Sequence, residues 1–201
     1  MARTKKFVRE EKLIEAMNLF RRKGFSQTSI ADLVEELKIN RFSLYDSFTD
    51  KETLYRESLS HYLIADMLPS LEPLKSSNAG INEIIKYINS YLSLLEEEPF
   101  GCLLQNALIE RGYCDDEVIE ICNSFFVAME EAVSNALKND IERGIIRGDT
   151  DVSGASGMMI TQLQGMRVLS KGRQMPIVSQ SKLMIENIIN GFRHSQPAVE
   201  I

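Results

Sequence analysis

Two histidines, three cysteines and a short acidic run are the residues of this chain best suited to covalent or metal chemistry, and their spacing serves neither. His61 and His194 lie far apart in sequence, and Cys102, Cys114 and Cys122 follow no C-x-x-C pattern. An odd number of cysteines at such spacings does not read as a disulfide framework. Asp115-Asp116-Glu117 opens a helical stretch, where negative charge suits the helix dipole, and that is a better account of it than a metal site. There is no H-E-x-x-H, phosphate-binding loop, dinucleotide fingerprint or nucleophile elbow. A Cys102 nucleophile would need a histidine brought to it in space, and nothing in the pattern supplies one. An enzyme is the poorer reading, and no cofactor or metal is expected. Cys102 follows Pro99 and Gly101 at a helix start, where the dipole favours thiolate. An inert thiol packed as a small apolar residue remains the favoured alternative.

Charge points elsewhere. The net charge of −6 argues at first against a nucleic-acid partner, but its distribution reverses that. Residues 1–57 hold 12 Lys and Arg against 10 Asp and Glu, whereas 58–201 hold 11 against 19. Within 1–23 the count is 8 basic to 3 acidic. Phosphate attraction is local, screened beyond about 10 Å, so a basic end on an acidic body can still face DNA. The N-terminal Met1-Ala2-Arg3-Thr4-Lys5-Lys6 lacks the apolar stretch of a signal peptide, and a cytoplasmic location is expected.

The elements that must position such a surface are helical nearly throughout, and the expected fold class is all-α with about nine helices. Leu13, Ile14, Met17 and Phe20 form one stripe over about 6–23, closed by Gly24. Thr28 is placed to cap a second helix whose inner side is Ile30, Leu33, Val34 and Leu37. Ile39 and Asn40 open a short third helix through Phe48, and Thr49-Asp50-Lys51-Glu52 reads as a capping box for a fourth toward Leu68. Pro69, Pro73 and the run Ser76 to Gly80 mark a loop. Further helices are expected near 81–98, 101–112, 116–143, 151–171 and 176–193. The domains expected are 1–50, a helix-turn-helix, and 51–196, a helical ligand-binding and dimerisation part linked through 50–68, with a frayed 197–201.

Two short helices joined by a few residues form the helix-turn-helix arrangement, whose second helix enters the major groove. Here the stretch Leu19-Phe20-x-x-Lys23-Gly24-Phe25-x-x-Thr28-Ser29-Ile30-x-x-Leu33 resembles the opening of the TetR family of bacterial transcription regulators. Ile39 to Phe48, followed by Lys51-Glu52-x-Leu54, resembles that family's recognition helix and the entry to its fourth helix. The resemblance covers about 50 residues. It implies phosphate contacts by Thr28, Ser43, Tyr45 and Lys51, which fix register without reading sequence. It also implies base-edge contacts by Arg41, to guanine, and by Phe42, on a thymine methyl. Capping alone would account for Thr28, and Tyr45 combines a packed ring with an outward hydroxyl. Two positions depart from the family pattern. Position 42 is usually small, and Asp46 stands where a neutral polar residue is common. Asp46 would repel phosphate, so it either accepts from a cytosine amine or turns away to pair with a base such as Arg41; the second is preferred.

The resemblance further implies a C-terminal cavity and last helices that pair into a homodimer. Gly157, Thr161 and Gly165 form a small-residue stripe fit for a close helix approach, and Leu183, Met184, Ile188, Ile189 and Phe192 give the last helix a broad apolar face. An intramolecular core would also explain both. Gly101-Cys102-Leu103-Leu104-x-Asn106-x-x-x-Glu110 resembles a motif of one branch of the family, some of whose members sense electrophiles through the cysteine. Met129, Met158, Met159 and Met166 are candidates to line an adaptable cavity, although methionines at helical spacing more often fill a core. Gln162 is a candidate polar anchor. The function expected is a repressor released from a palindromic operator by a small-molecule effector. A cysteine-sensing repressor is the alternative, and a ligand-independent architectural DNA binder a more remote one. The partners expected are double-stranded operator DNA, a second copy of the chain and the effector, with no membrane.

Overall fold

A computed structural model of the chain describes residues 8–97 and 100–193. The basic segment through residue 7, Pro99, His194 and the tail lie outside the described residues. The helices are α1 (Arg9–Lys23), α2 (Ile30–Leu37), α3 (Arg41–Phe48), α4 (Lys51–Tyr62), α5 (Glu72–Lys75), α6 (Ile81–Glu97), α7 (Leu103–Arg111), α8 (Asp116–Glu142), α9 (Val152–Lys171) and α10 (Met175–Asn190). Nine of them have eight residues or more, and a π-helical turn, Leu63–Met67, extends α4. Among the described residues there is no strand, only an isolated bridge between Ile146 and Arg193. The fold is all-α, as the apolar periodicity predicts.

The chain divides into two units, Met1–Leu68 with Cys102–Phe125, and Pro69–Gly101 with Phe126–Ile201. The expected boundary after residue 50 is not where the chain separates, because α4 is bound into the first unit by its own core. Tyr55 and Leu59 of α4 are fully buried. The Tyr55 ring meets Phe20 of α1 edge-on and Phe25 at a tilt, each at 4.9 Å between centroids. Burial pushes the Tyr55 phenol well above its ordinary range, so the ring stays neutral at any working pH. On α1 the buried set is Leu13, Ala16, Met17, Leu19 and Phe20, while Ile14 is exposed.

In the second unit, Ile81, Ile84, Ile88 and Tyr91 of α6 are buried, as are Val178, Ile185 and Ile189 of α10. The Tyr91 hydroxyl donates to the Leu163 carbonyl of α9 at 2.8 Å, which gives a buried phenol its partner. The loop before α6 is tied to α8. Asp140 accepts from the Ile81 amide at 2.7 Å and pairs with Arg143, while the Asn135 and Asn139 side chains donate to the carbonyls of Leu74 and Ala79.

The turn between α1 and α2 is held from far along the chain. Gly24 sits at φ +82°, where a side chain would be strained, and the amides of Phe25 and Ser26 then both point at one carboxylate. Glu110 of α7, 85 residues beyond Phe25, accepts from Phe25 at 2.8 Å and from Ser26 at 2.7 Å. Lys51 and Arg111 place their charges over the Phe25 ring, at 4.1 and 4.4 Å from its centroid. Burial opposes the charge on Glu110, but the Ser26 side chain, the Ser26 and Phe25 amides and Lys51 outweigh it and hold its carboxyl below the usual range. A second carboxylate, buried Asp115, accepts from Arg56 of α4 at 3.1 Å and from Arg111 at 3.2 Å. Its burial is likewise outweighed, by Arg56 first and then Arg111, so it too is held ionised.

Glu110→Ala should therefore lower stability at pH 7 by about 1–3 kcal/mol, the cost of leaving charge-assisted hydrogen bonds unmade. A carboxyl depressed in the folded state stabilises above its unfolded value, 4.5 here, and that contribution is lost as pH falls through the folded value. Urea unfolding of parent and variant should differ clearly at pH 7 and converge as the pH is taken from 4.5 down through the depressed folded value. A gap that stays constant across that range would remove Glu110 from the account of this turn.

Candidate nucleic-acid interface

The reading helix is built on a capped partner. Ser29, not Thr28, caps α2: its hydroxyl accepts from the Asp32 amide at 3.1 Å, and Asp32 accepts from the Ser29 amide at 2.8 Å, a reciprocal capping box. The expected cap, Thr28, is fully buried and donates its hydroxyl to the Gly24 carbonyl at 2.6 Å. Its hydroxyl is spent on the preceding turn, which also removes it from the phosphate contacts expected of it. Lys23 pairs with Asp32 at 2.6 Å, and that bond, with those from Ser29, holds the Asp32 carboxyl far below its usual range. Lys38 turns the chain with φ +52°, and Asn40 caps α3 by accepting from the Ser43 amide at 2.8 Å. The residue that begins α4 is capped in the same one-residue offset. Asp50 accepts from Thr53, whereas Thr49, at φ +63°, ends α3 by donating its amide to the Tyr45 carbonyl and does not cap α4.

The eight residues of α3 separate cleanly into two sides. Leu44 and Phe48 are buried, facing the core that also takes Leu33 and Leu37 of α2. Arg41, Phe42, Tyr45 and Asp46 are exposed, and Phe42 is 79% exposed. At 3.6 residues per turn these four side chains fall within an arc of about 140°. A large aromatic left that bare on a short helix is the informative observation, since exposed charge alone is ordinary. Arg41 lies over the Tyr45 ring, 5.6 Å from its centroid, one turn along. It does not turn to Asp46, contrary to the preferred sequence reading. Ser43 and Lys51 are half-buried, and the Lys51 ammonium rests against Phe25, where burial lowers its pKa.

Sequence reasoning missed Arg9. Its guanidinium lies 4.5 Å from the Phe48 ring centroid, bonds to Glu57 at 2.8 Å and donates to the Ser47 carbonyl at 3.2 Å. It thereby ties the end of α3 to α1 and α4. A basic residue at the start of α1 was visible as charge, but not as a clamp, because its three partners lie 38 or more residues away.

The other expected sites disperse. Cys102 and Asn106 belong to the first unit, and Met129, Gln162 and Met166 to the second. Cys102 precedes α7 without a side-chain capping bond and is buried, and burial pushes neighbouring Cys122 up to about 12, with Cys102 a lesser cause. Met129 and Met166 are buried, in keeping with core filling. Gln162 is exposed, so its amide does not point inward as an anchor would. Among the described residues nothing packs on the small-residue stripe of α9: Gly157, Thr161 and Gly165 are exposed, and a Cβ added at either glycine would meet nothing within 4 Å. On α10, Leu183, Met184 and Ile188 face outward, while Ile189 is core. His61 lines a surface groove of about 490 Å³ with Arg56, Glu57 and Glu117.

The comparisons with known proteins converge on this geometry. Residues 13–57 match the family model described as bacterial regulatory proteins, tetR family. The chain is 28% identical over 174 residues to the HTH-type transcriptional repressor ComR of Escherichia coli (strain K12), covering 84% of this chain and 82% of that one. A TetR-family transcriptional regulator from Cytophaga hutchinsonii shares the fold with a TM-score of 0.79 at 19% identity, over 96% of this chain and all of the other. The TetR-family regulator CifR, solved as a cysteine mutant with 26-bp double-stranded operator DNA, shares it with a TM-score of 0.77 at 23% identity, over 95% of this chain and all of that one. A sequence match over the two short helices and their flanks, and one helical fold across nearly the whole length, make this chain similar to the TetR family of helix-turn-helix transcriptional regulators.

Proposed function

We propose that this protein is a repressor that grips a palindromic operator as a homodimer and lets go when a small-molecule effector occupies its C-terminal part. The observation that carries the proposal is the bare outer side of α3, with Arg41 and Phe42 exposed and Leu44 and Phe48 fixed beneath them. Arg41 hydrogen-bonds a guanine edge, Phe42 packs on a thymine methyl, and Ser43, Tyr45 and Lys51 contact phosphates. The similarity to ComR, named a repressor, and to CifR, solved on operator DNA, supports the direction of the reading.

One such helix binds weakly, and two spaced a helical turn apart, ~34–36 Å, read a palindrome. The outward side of α9 and α10 supports pairing. Gly157, Thr161 and Gly165 leave room for a second helix, beside exposed Val168, Leu183, Met184 and Ile188. An apolar patch left uncovered on one chain is the usual mark of an interface. Release follows when effector occupancy changes the spacing of the two reading helices, so that they no longer meet successive grooves. A coupling of ~1–3 kcal/mol, a 5–150-fold change in affinity, suffices.

Arg41→Ala should relax base preference at one operator position in each half-site. Tyr45→Phe, which removes only an uncharged hydroxyl, should weaken all sequences alike and leave the salt dependence unchanged. Gel-shift titrations on single-base operator variants at several salt concentrations separate the two outcomes. Parent-like binding by both variants would mean that α3 does not face DNA. Met184→Lys should shift the protein from dimer to monomer in analytical ultracentrifugation and cost operator affinity about tenfold or more, because the two half-sites are then engaged separately. A Met184→Lys dimer of unchanged stability would place the interface elsewhere.

A further inference from the structure

Among the described residues, the one carboxylate on α3 has no hydrogen bond or ion pair within the protein. Asp46 is exposed, one turn beyond Phe42 on the same side of α3. Its sequence neighbours offer no cation: Arg41, five residues back, rests on the Tyr45 ring instead. Residues five apart do not face each other on a helix, whereas those four apart do, which is why Arg41 meets Tyr45 and not Asp46. Several basic residues of this unit are committed to other carboxylates among the described residues: Arg9 to Glu57, Arg22 to Glu36, Lys23 to Asp32, and Arg56 to Asp115. Nor does Asp46 cap a helix. That work is done by Asn40 at one end of α3 and by Asp50 at the start of α4.

An unneutralised carboxylate among side chains aimed at DNA meets a polyanion, and any phosphate near it weakens binding. The groove floor is different. There a carboxylate finds hydrogen-bond donors on only two bases, the N4 amine of cytosine and the N6 amine of adenine, and adenine sets its N7 acceptor beside the amine. Cytosine presents its amine with no acceptor from its own ring in the major groove, so it is the base a carboxylate accepts from most readily. The remaining edges, guanine N7 and O6 and thymine O4, present only acceptors and repel it.

We infer that Asp46 is a specificity-determining residue that accepts a hydrogen bond from a cytosine amine in each half-site and discriminates against the other bases at that position. The inference rests on the DNA-reading assignment of α3 made above. Asp46 also sets the selectivity over bulk DNA, because its charge is compensated only where that amine is present. A single negative charge thus lowers affinity for every wrong sequence more than for the right one.

The test is binding-site selection from a random duplex pool by the full-length parent and by Asp46→Asn and Asp46→Ala, followed by titration of the parent's site and its single-base variants. The parent should require cytosine at one position per half-site, with about tenfold loss for each other base. Asp46→Ala should flatten that position while leaving the rest of the motif intact, and should bind unrelated duplex more tightly than the parent. Asp46→Asn, which can both donate and accept, should move the preference at that position toward adenine, the base that amides read with two bonds. Thermal unfolding should be unchanged in both, since Asp46 touches nothing that holds the fold. If both variants select the parent's motif at every position, the inference is wrong although the DNA-reading assignment stands. If the parent selects no motif at all, that assignment fails first.

Discussion

The outer side of α3 is held in place by what its inner side buries. Leu44 and Phe48 are buried, as are Leu33 and Leu37 of α2, and Arg9 closes over Phe48 from α1. Eight residues form barely two turns, far too short to be helical alone in water, so the helix exists only because its neighbours supply the burial. Every property proposed for Arg41, Phe42, Tyr45 and Asp46 depends on that anchoring, since a reading helix must present its side chains from a rigid base.

The same constraint explains why the reader does not end at residue 50. Tyr55 of α4 fills the space between Phe20 and Phe25, and Glu110 of α7 completes the turn that leads into α2. The reading module therefore includes parts of the chain 50 or more residues downstream of the helices it shows to DNA. Asp115 repeats the arrangement on Arg56, and both carboxylates are kept ionised by donors that outweigh their burial. A helix-turn-helix so braced responds as a unit, and a shift of α7 would reach the turn before α2 through two hydrogen bonds.

Much of this was legible in the residues. The 3.6-residue spacing marks α1, α2, α6 and α8, although Ile30 and Val34 are only half-buried and Ile14 is exposed. The caps were misplaced by one residue twice, at Thr28 for Ser29 and at Thr49 for Asp50. In each pair both side chains can cap, and the choice is made by backbone angles and by a competing acceptor, the Gly24 carbonyl in the first case. The pairing of Asp46 with Arg41 was excluded by helix geometry, which favours partners three or four residues apart. The role of Glu110 had no local signal, because its partners are 84 and 85 residues away. Gln162 failed as an inward anchor because its position on α9 faces outward, with Thr161 and Gly165.

The proposed function requires two copies of α3 in successive major grooves of one duplex. Guanine-N7 methylation interference, read on a selected operator bound to the full-length protein, tests it most directly because that atom lies on the major-groove edge. Two symmetric clusters of interference separated by about one helical turn or a multiple of it are the predicted result. Binding indifferent to major-groove methylation, or a single unrepeated cluster, would contradict it.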